Sequence, residues 1–594
     1  IYNVEQDELR PALIRGKDFP RNIQSLATDQ KNLYIGMKDE VGCYSFATSD
    51  YQVISHPEFF YISTLMLDSS ESTLWIGNAH HLHRMNLNTK EIERVRDFYV
   101  VKSIAKDDNN LLIGTDNGLY VCDRQGTWHL ISHDARNSQS LSSNVVNMFF
   151  KDANGNIWIG TDNGISLAAH NPSIRSRSLF DITGSDEGCQ ISSIQRTVDS
   201  TLWLGGSRGL IKLKTDMQGN NIRRWYQMSS KESSLPHNRI RALYEDSRQY
   251  LWVASDGGLL RYNPMNEQFI SYFFDDLKNW VYDILETPNG DLWLATFCGV
   301  YGISSEQSPE GGILKVKYHF THDQGLYSND IYQLALDREN NLWVLSNNHH
   351  IDRINLTTGT ILPIEKITDI PHIDSYAVIS DSEGNIWIST SDNLLKLSVN
   401  KGNISTQSIP LSRVLSTEVF AMDEGENEIW LTTSEGLFIV EKESLKVHRI
   451  RISEKYIDIF YDRIDHKVWL GTSNKITQID PILLRQEIQQ SQKVKITDIE
   501  INSNEELSYT DRQSKHIRLT AKQNNLRISF SDYQYKGESL TNYAFKLDGY
   551  HSQWIELNRN ENSITLPNLS PGDYTLYIGS LENISDNKQT EAIL

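Results

Sequence analysis

The chain has 594 residues, 39% of them hydrophobic and 10% aromatic, which fits several globular domains and excludes a disordered chain. With 57 basic and 77 acidic residues it carries a net charge of −20, which repels nucleic-acid phosphates and anionic lipid, so no nucleic-acid partner is expected. It contains no apolar run of about 18 residues. Its four cysteines, Cys43, Cys122, Cys189 and Cys298, stand far apart with no C-x-x-C pair, which speaks against a disulfide framework or a zinc site.

The opening IYNVEQDELRPALI reads as outer strands of a sheet whose inner half is absent. From Tyr34 onward one short pattern returns: LYIGM at Tyr34, LWIGN at Trp75, LLIGT at Leu112, WIGT at Trp158, LWLGG at Trp203 and LWVAS at Trp252. It continues at Trp293, Trp343, Trp387, Trp430 and Trp469, giving eleven copies spaced 37 to 50 residues apart. Nine of the thirteen tryptophans occupy this one position, so the tryptophan content is itself a product of the repeat. Around it each unit has an alternating apolar strand such as NVVNMFF, a polar turn such as KDANGN, the Trp strand, a second turn such as TDNG, a third strand and a weaker outer strand. Four antiparallel strands at this period make a β-propeller blade, with the tryptophan expected between neighbouring blades and the glycines in the turns. Trp128 and Trp225 fall outside the repeat position and read as outer-strand packing.

Two other readings of KDANGNIWIGTDNGI fail. A calcium loop through Asp152 and Asn154 needs glycine at its sixth position and glutamate at its twelfth, where Ile157 and Asn163 stand. A phosphate loop needs Gly-Lys-Ser/Thr opening a helix. Between Trp158 and Trp203 the stretch HNPSIRSRSLFDITGSDEGCQ breaks the rhythm and reads as a join between two propellers. After Trp469 the period stops. DPILLRQEIQQSQKV reads as a connector, briefly helical, and seven short segments follow: KITDIEINS, HIRLT, NLRISFSDY, NYAFKLDGY, SQWIEL, SITLPNL and DYTLYIGS. These suit an immunoglobulin-like sandwich. The final EAIL looks like the start of another strand.

The unit D-x-x-G-x-[IL]-W-[IL]-G-T-x-x-G-[IL] resembles the regulatory propeller repeat. The tail, with NYAFKLDGYHSQW and LPNLSPGDYTLYIGS, resembles the three-tyrosine domain that follows such repeats in periplasmic sensor regions of hybrid two-component systems of Bacteroidetes. The resemblance implies an all-β chain of two seven-bladed propellers and an immunoglobulin-like domain, followed by a membrane helix and cytoplasmic kinase modules. It further implies an oligosaccharide ligand, a homodimer and a periplasmic place in an inner-membrane protein, with no catalysis, cofactor or metal in this region. Seven signatures, from Trp203 to Trp469, make one complete propeller. The remaining four make part of another, three blades short. The expected domains are therefore 1–174 (about four blades of the first propeller), 175–488 (the second propeller) and 489–594 (the sandwich).

Propeller ligands sit where loops leading into the innermost strands meet loops between the second and third strands. In the second propeller the residue before each inner strand is Gln190, Arg239, Trp280, Asp330, Tyr376, Glu418 or Tyr456, and the second loop set adds Arg208, Phe297, Asn348, His349 and His350. Aromatic faces suit a sugar ring, and charged groups and amides suit its hydroxyls or carboxylates. The interface between the two propellers competes equally as a site. His349-His350 reads as a solvated loop pair. A protein-binding scaffold is the alternative function, with a glycan hydrolase or lyase behind it. The hydrolase would use Asp330 and Glu418 as its carboxylate pair, two blades apart.

Overall fold

The repeat acts first on its own turns. Asp337 Oδ1 accepts the backbone N–H groups of Glu339 and Asn341, both at 2.9 Å, and its Oδ2 accepts the indole N–H of Trp343 at 3.0 Å. The same carboxylate–indole bond joins Asp152 to Trp158 (3.0 Å), Asp246 to Trp252 (2.8 Å) and Asp381 to Trp387 (2.9 Å). One carboxylate thus closes the turn and satisfies the polar atom of a ring that must be buried. In these turns the third residue after the aspartate takes a left-handed φ, 83° at Gly155 and 74° at Gly384.

The computed structural model describes residues 2–3, 8–9, 13–14, 17–18, 22–107, 110–135, 140–152, 155–169, 173–185, 187–215, 221–229, 234–274, 280–304, 306–368, 374–411, 418–434, 436–450, 455–489, 494–501, 505–506, 518–531, 543–551, 553–557, 561–580 and 592–593. Contacts divide the chain into two units, Ile1–Asn171 and Pro172–Leu594.

In the first unit, sheets form around Tyr34, Trp75 and Leu112, each of four antiparallel strands, and around Trp158, of three. Their inner strands, Ser25–Thr28, Thr64–Asp68, Val101–Asp107 and Val146–Lys151, follow one another side by side. The opening residues differ from expectation. They form two hairpins in sheets of their own, Tyr2–Asn3 with Glu8–Leu9 and Leu13–Ile14 with Lys17–Asp18.

In the second unit the seven inner strands, Ile191–Arg196, Ile240–Glu245, Val281–Glu286, Ile331–Leu336, Ser375–Ser380, Val419–Glu424 and Asp458–Asp462, each abut the next, and the last abuts the first. The ring is closed. Its tryptophans pack between blades as expected: Trp203 lies with Leu235, Ile240, Leu243, Val253 and Leu260 of the following blade. The glycine two residues beyond the tryptophan does not serve a turn, and here the sequence reading is corrected. A Cβ on Gly205 would stand 2.6 Å from Ile240 Cγ2, and one on Gly471 2.6 Å from Ile191 Cγ2. That glycine lets the Trp strand approach the next blade's inner strand.

The stretch read as a join does more than join. Its strand Ile174–Ser178 pairs antiparallel with Lys475–Ile479 and completes the Trp469 blade, from about 300 residues away in sequence. The helix Pro481–Gln489 follows, with Asp480 Oδ1 accepting from Ile482 and Leu483 at 3.0 and 3.1 Å and proline in the first helical position. The tail forms two four-stranded sheets around Ile499, Ile528, Phe530, Leu547, Ile564, Leu576 and Ile578. Ala592–Ile593 pairs with Thr575–Ser580. Of the expected strand HIRLT, residues 518–520 are irregular and 516–517 lie outside the described residues. A short strand, Glu505–Glu506, was not expected.

The chain is all-β, with propeller blades followed by an immunoglobulin-like sandwich. Among the described residues no helix is long and apolar enough to cross a membrane.

Candidate functional site

Six of the seven inner strands share an irregularity. Their pairing with the Trp strand shifts after the first residue, leaving Ser192, Arg241, Tyr282, Tyr332, Tyr376 and Phe420 out of register. A bulge re-aims the side chain of its extra residue. Here neighbouring bulges meet. The Arg241 guanidinium lies over the Tyr282 ring at 4.9 Å, and Tyr282 stacks on Tyr332 with centroids 5.0 Å apart and planes 11° apart. The Lys455 ammonium lies 3.8 Å from the Phe420 ring centroid.

The residues expected from sequence sit just before these bulges, and most share one backbone role. The carbonyls of Gln190, Arg239, Trp280, Asp330 and Glu418 accept from Ser207, Asp256, Phe297, Asn347 and Ser434, each in the second-to-third-strand loop of its own blade. Both loop sets are therefore tied together at one mouth of the ring. Side chains add to this. Trp280 meets Phe297 edge to face at 5.4 Å, Asn347 Nδ2 donates to Asp330 Oδ2 at 2.9 Å, and His349 lies 4.8 Å from Tyr376. Arg241 reaches Asp256 through two bonds of 2.7 and 3.3 Å. Gln190, Arg239 and Glu418 are exposed. Arg208 pairs with Glu187, and its carbonyl accepts the indole N–H of Trp225 at 3.2 Å, so Trp225 ties its outer strand to this loop besides packing.

Burial pushes the Asp330 carboxyl upward against the pull of Asn347 and Arg241, and its Oδ1 is buried with no partner among the described residues. Burial and the nearby Asp330 push Tyr282 up to about 12, with Arg241 opposing. The mouth thus holds a carboxylate with unused acceptor capacity beside two aromatic pairs, an arrangement able to accept hydroxyl donors and to lie flat against apolar faces.

Two expectations are corrected. Tyr456 is 3% exposed and its hydroxyl bonds Thr477 Oγ1 at 3.0 Å. Four residues before the partner of its tryptophan, it stands where Ile240 or Val281 packs in other blades, so it is the first apolar residue of its inner strand and not the one before it. His350 is not solvated: it is buried, stacked on Tyr327 at 4.1 Å, with Nε2 3.1 Å from Glu365. The residues missed, Arg241, Tyr282, Tyr332 and Phe420, stand one place after the first apolar residue of each inner strand. Tyr376 alone belongs to both sets.

Comparison with known proteins places this architecture. Residues 140–163, 234–257 and 277–297 match the family described as Two component regulator propeller, and 534–594 match the Y_Y_Y domain. The chain carries two component regulator propeller repeats followed by a Y_Y_Y domain. Histidine kinase P4 of Formosa agariphila is 27% identical over 306 residues, 48% of this chain and 21% of that protein. The chain thus spans about a fifth of the length of this curated relative. The crystallised extracellular domain of a protein assigned as a hybrid two component system of B. thetaiotaomicron is 21% identical, with a TM-score of 0.75, over 93% of this chain and 74% of that one. A second such domain from B. thetaiotaomicron is 29% identical, with a TM-score of 0.49, over 100% and 83%.

Proposed function

We propose that this chain is the ligand-sensing region of a hybrid two-component sensor, lying in the periplasm, and that it binds an oligosaccharide at the mouth of the closed ring. Regulator propeller repeats joined to a Y_Y_Y domain, and the likeness to a histidine kinase, support the sensor role. The observation that supports the ligand class is the pairing of aromatic faces, Trp280 with Phe297 and Tyr282 with Tyr332, around Asp330, Asn347 and Arg241. Sugar rings offer apolar C–H faces to such rings and hydroxyls to such polar groups.

Sensing requires that the sugar bind two arrangements of a homodimer unequally, since only that difference shifts their balance. The sandwich then carries the shift toward a membrane helix and the kinase. Nothing in this scheme asks the ring to break a bond.

Calorimetry against plant, host and microbial oligosaccharides tests the reading. One defined sugar should bind at micromolar affinity. Trp280 and Tyr332 are 43% and 45% exposed, so Trp280→Ala and Tyr332→Ala should leave the fold intact while weakening binding about tenfold, as loss of roughly 1.4 kcal/mol of stacking implies. Silence across the panel, or binding indifferent to both substitutions, refutes the site. Cleavage products would instead point to a hydrolase.

A further inference from the structure

The blade around Trp75 carries a side-chain cluster that blade packing does not require. Its third strand, His81–Asn86, begins in the run HHLHR, where strand alternation puts His81 and His83 on one face and Leu82 on the other. The link from the preceding blade, between Tyr51–Ser55 and Thr64–Asp68, brings His56 and Glu58 to that face. Ring centroids of His56 and His83 are 5.4 Å apart, and those of His81 and His83 5.7 Å. Glu58 Oε2 lies 3.1 Å from His83 Nε2. One ligating atom from each of His56, Glu58 and His83 falls within 4.8 Å of the others.

His83 is fully buried and Phe59 packs edge-on against it at 5.5 Å, yet its Nδ1 has no partner among the described residues. A buried nitrogen without a partner is costly, and a histidine placed for packing would be replaced by an apolar residue without that cost. The other ring nitrogen, Nε2, is the one that faces Glu58.

We propose that His56, Glu58 and His83 form a binding site for a divalent transition-metal ion, with Zn2+ the ion their chemistry fits. Two imidazoles and one carboxylate are a three-ligand zinc set that leaves a fourth position for water or for His81. Ligand atoms on a tetrahedral ion with bonds of about 2.1 Å stand roughly 3.4 Å apart, close to the Nε2–Oε2 separation already present. Outside the cluster, Arg94 Nη1 lies 3.3 Å from Glu58 Oε1 and Asn78 Nδ2 donates to the Glu58 carbonyl at 2.9 Å, orienting the carboxylate and its backbone. The ion would pin the link between two blades to the second of them.

The test uses the whole chain, stripped with a chelator and titrated with zinc sulfate in a calorimeter, with cobalt absorption as a second readout. We expect one tight site per chain, a tetrahedral cobalt spectrum, and affinity lowered about a hundredfold or more in His56→Ala and in Glu58→Gln. Both residues are only partly buried, so the variants should match the parent in apo circular dichroism and Tm. Absence of tight zinc uptake overturns the proposal, and so does uptake that survives both substitutions.

Discussion

At the scale of single residues, the aspartate six places before the tryptophan does two jobs with one carboxylate. Asp337→Ala would leave the Trp343 indole N–H and two backbone N–H groups of the turn without their acceptor, so a loss of about 1–3 kcal/mol is expected in urea denaturation. An unchanged midpoint would show that the bond adds nothing to the turn. The bond is dispensable to the fold: where Thr287 stands six places before Trp293, and where a turn one residue shorter puts Gly425 at the aspartate's place five before Trp430, the indoles of Trp293 and Trp430 are buried without a partner among the described residues. Burial of the ring itself stabilises more than the bond does. Trp343→Ala, at a position with no measurable exposure, should cost about 3–5 kcal/mol.

At the scale of elements, the inner strands combine bulges with blade-to-blade bonds. Ser193 accepts the N–H of Leu243, Asp283 that of Leu334 and Gln333 that of Val378, at 2.9, 2.9 and 3.0 Å. Where the acceptor is a carboxyl, burial makes its charge expensive. It pushes Asp283 up to about 7 and Asp423 up to about 6, and it raises Asp458 well above its ordinary value, with Asp423 adding to the effect. Groups raised on folding lend stability that is fully present below their unfolded value, about 4, and is lost as pH climbs through the folded one. Tm should therefore fall between pH 5 and 8, and Asp458→Asn should flatten that fall. A thermal series showing identical slopes for the two proteins would reject the assignment. The sequence shows the blades because a tryptophan that must be buried repeats visibly, and it shows the loops leading into the mouth. It hides the bulges, because apolar alternation reads the same with or without an extra residue at the first pair. So Trp280 and Asp330 are legible in the sequence while Tyr282 and Tyr332, two places on, are not. The role of Gly205 is hidden too, since contact with Ile240 exists only between blades.

For the whole molecule, the closed ring depends on a strand at the very start of the second unit, ahead of its first inner strand. A chain beginning at Pro172 keeps Ile174–Ser178 and should fold as a closed ring with its sandwich. One beginning at Leu179 leaves Lys475–Ile479 as an open edge and should melt at lower temperature or aggregate. Equal Tm values for the two would mean the ring closes without its seam. This seam also fixes a load path. The first pair, Ile174 with Ile479, stands where the chain enters and leaves the ring, and Ser173 bonds Glu487 Oε2 at 2.5 Å just outside it. A pull between the residues before the ring and the sandwich after it bypasses the other six blades. It falls on this one antiparallel pair, end first, so its hydrogen bonds open in succession like a zip rather than shearing together.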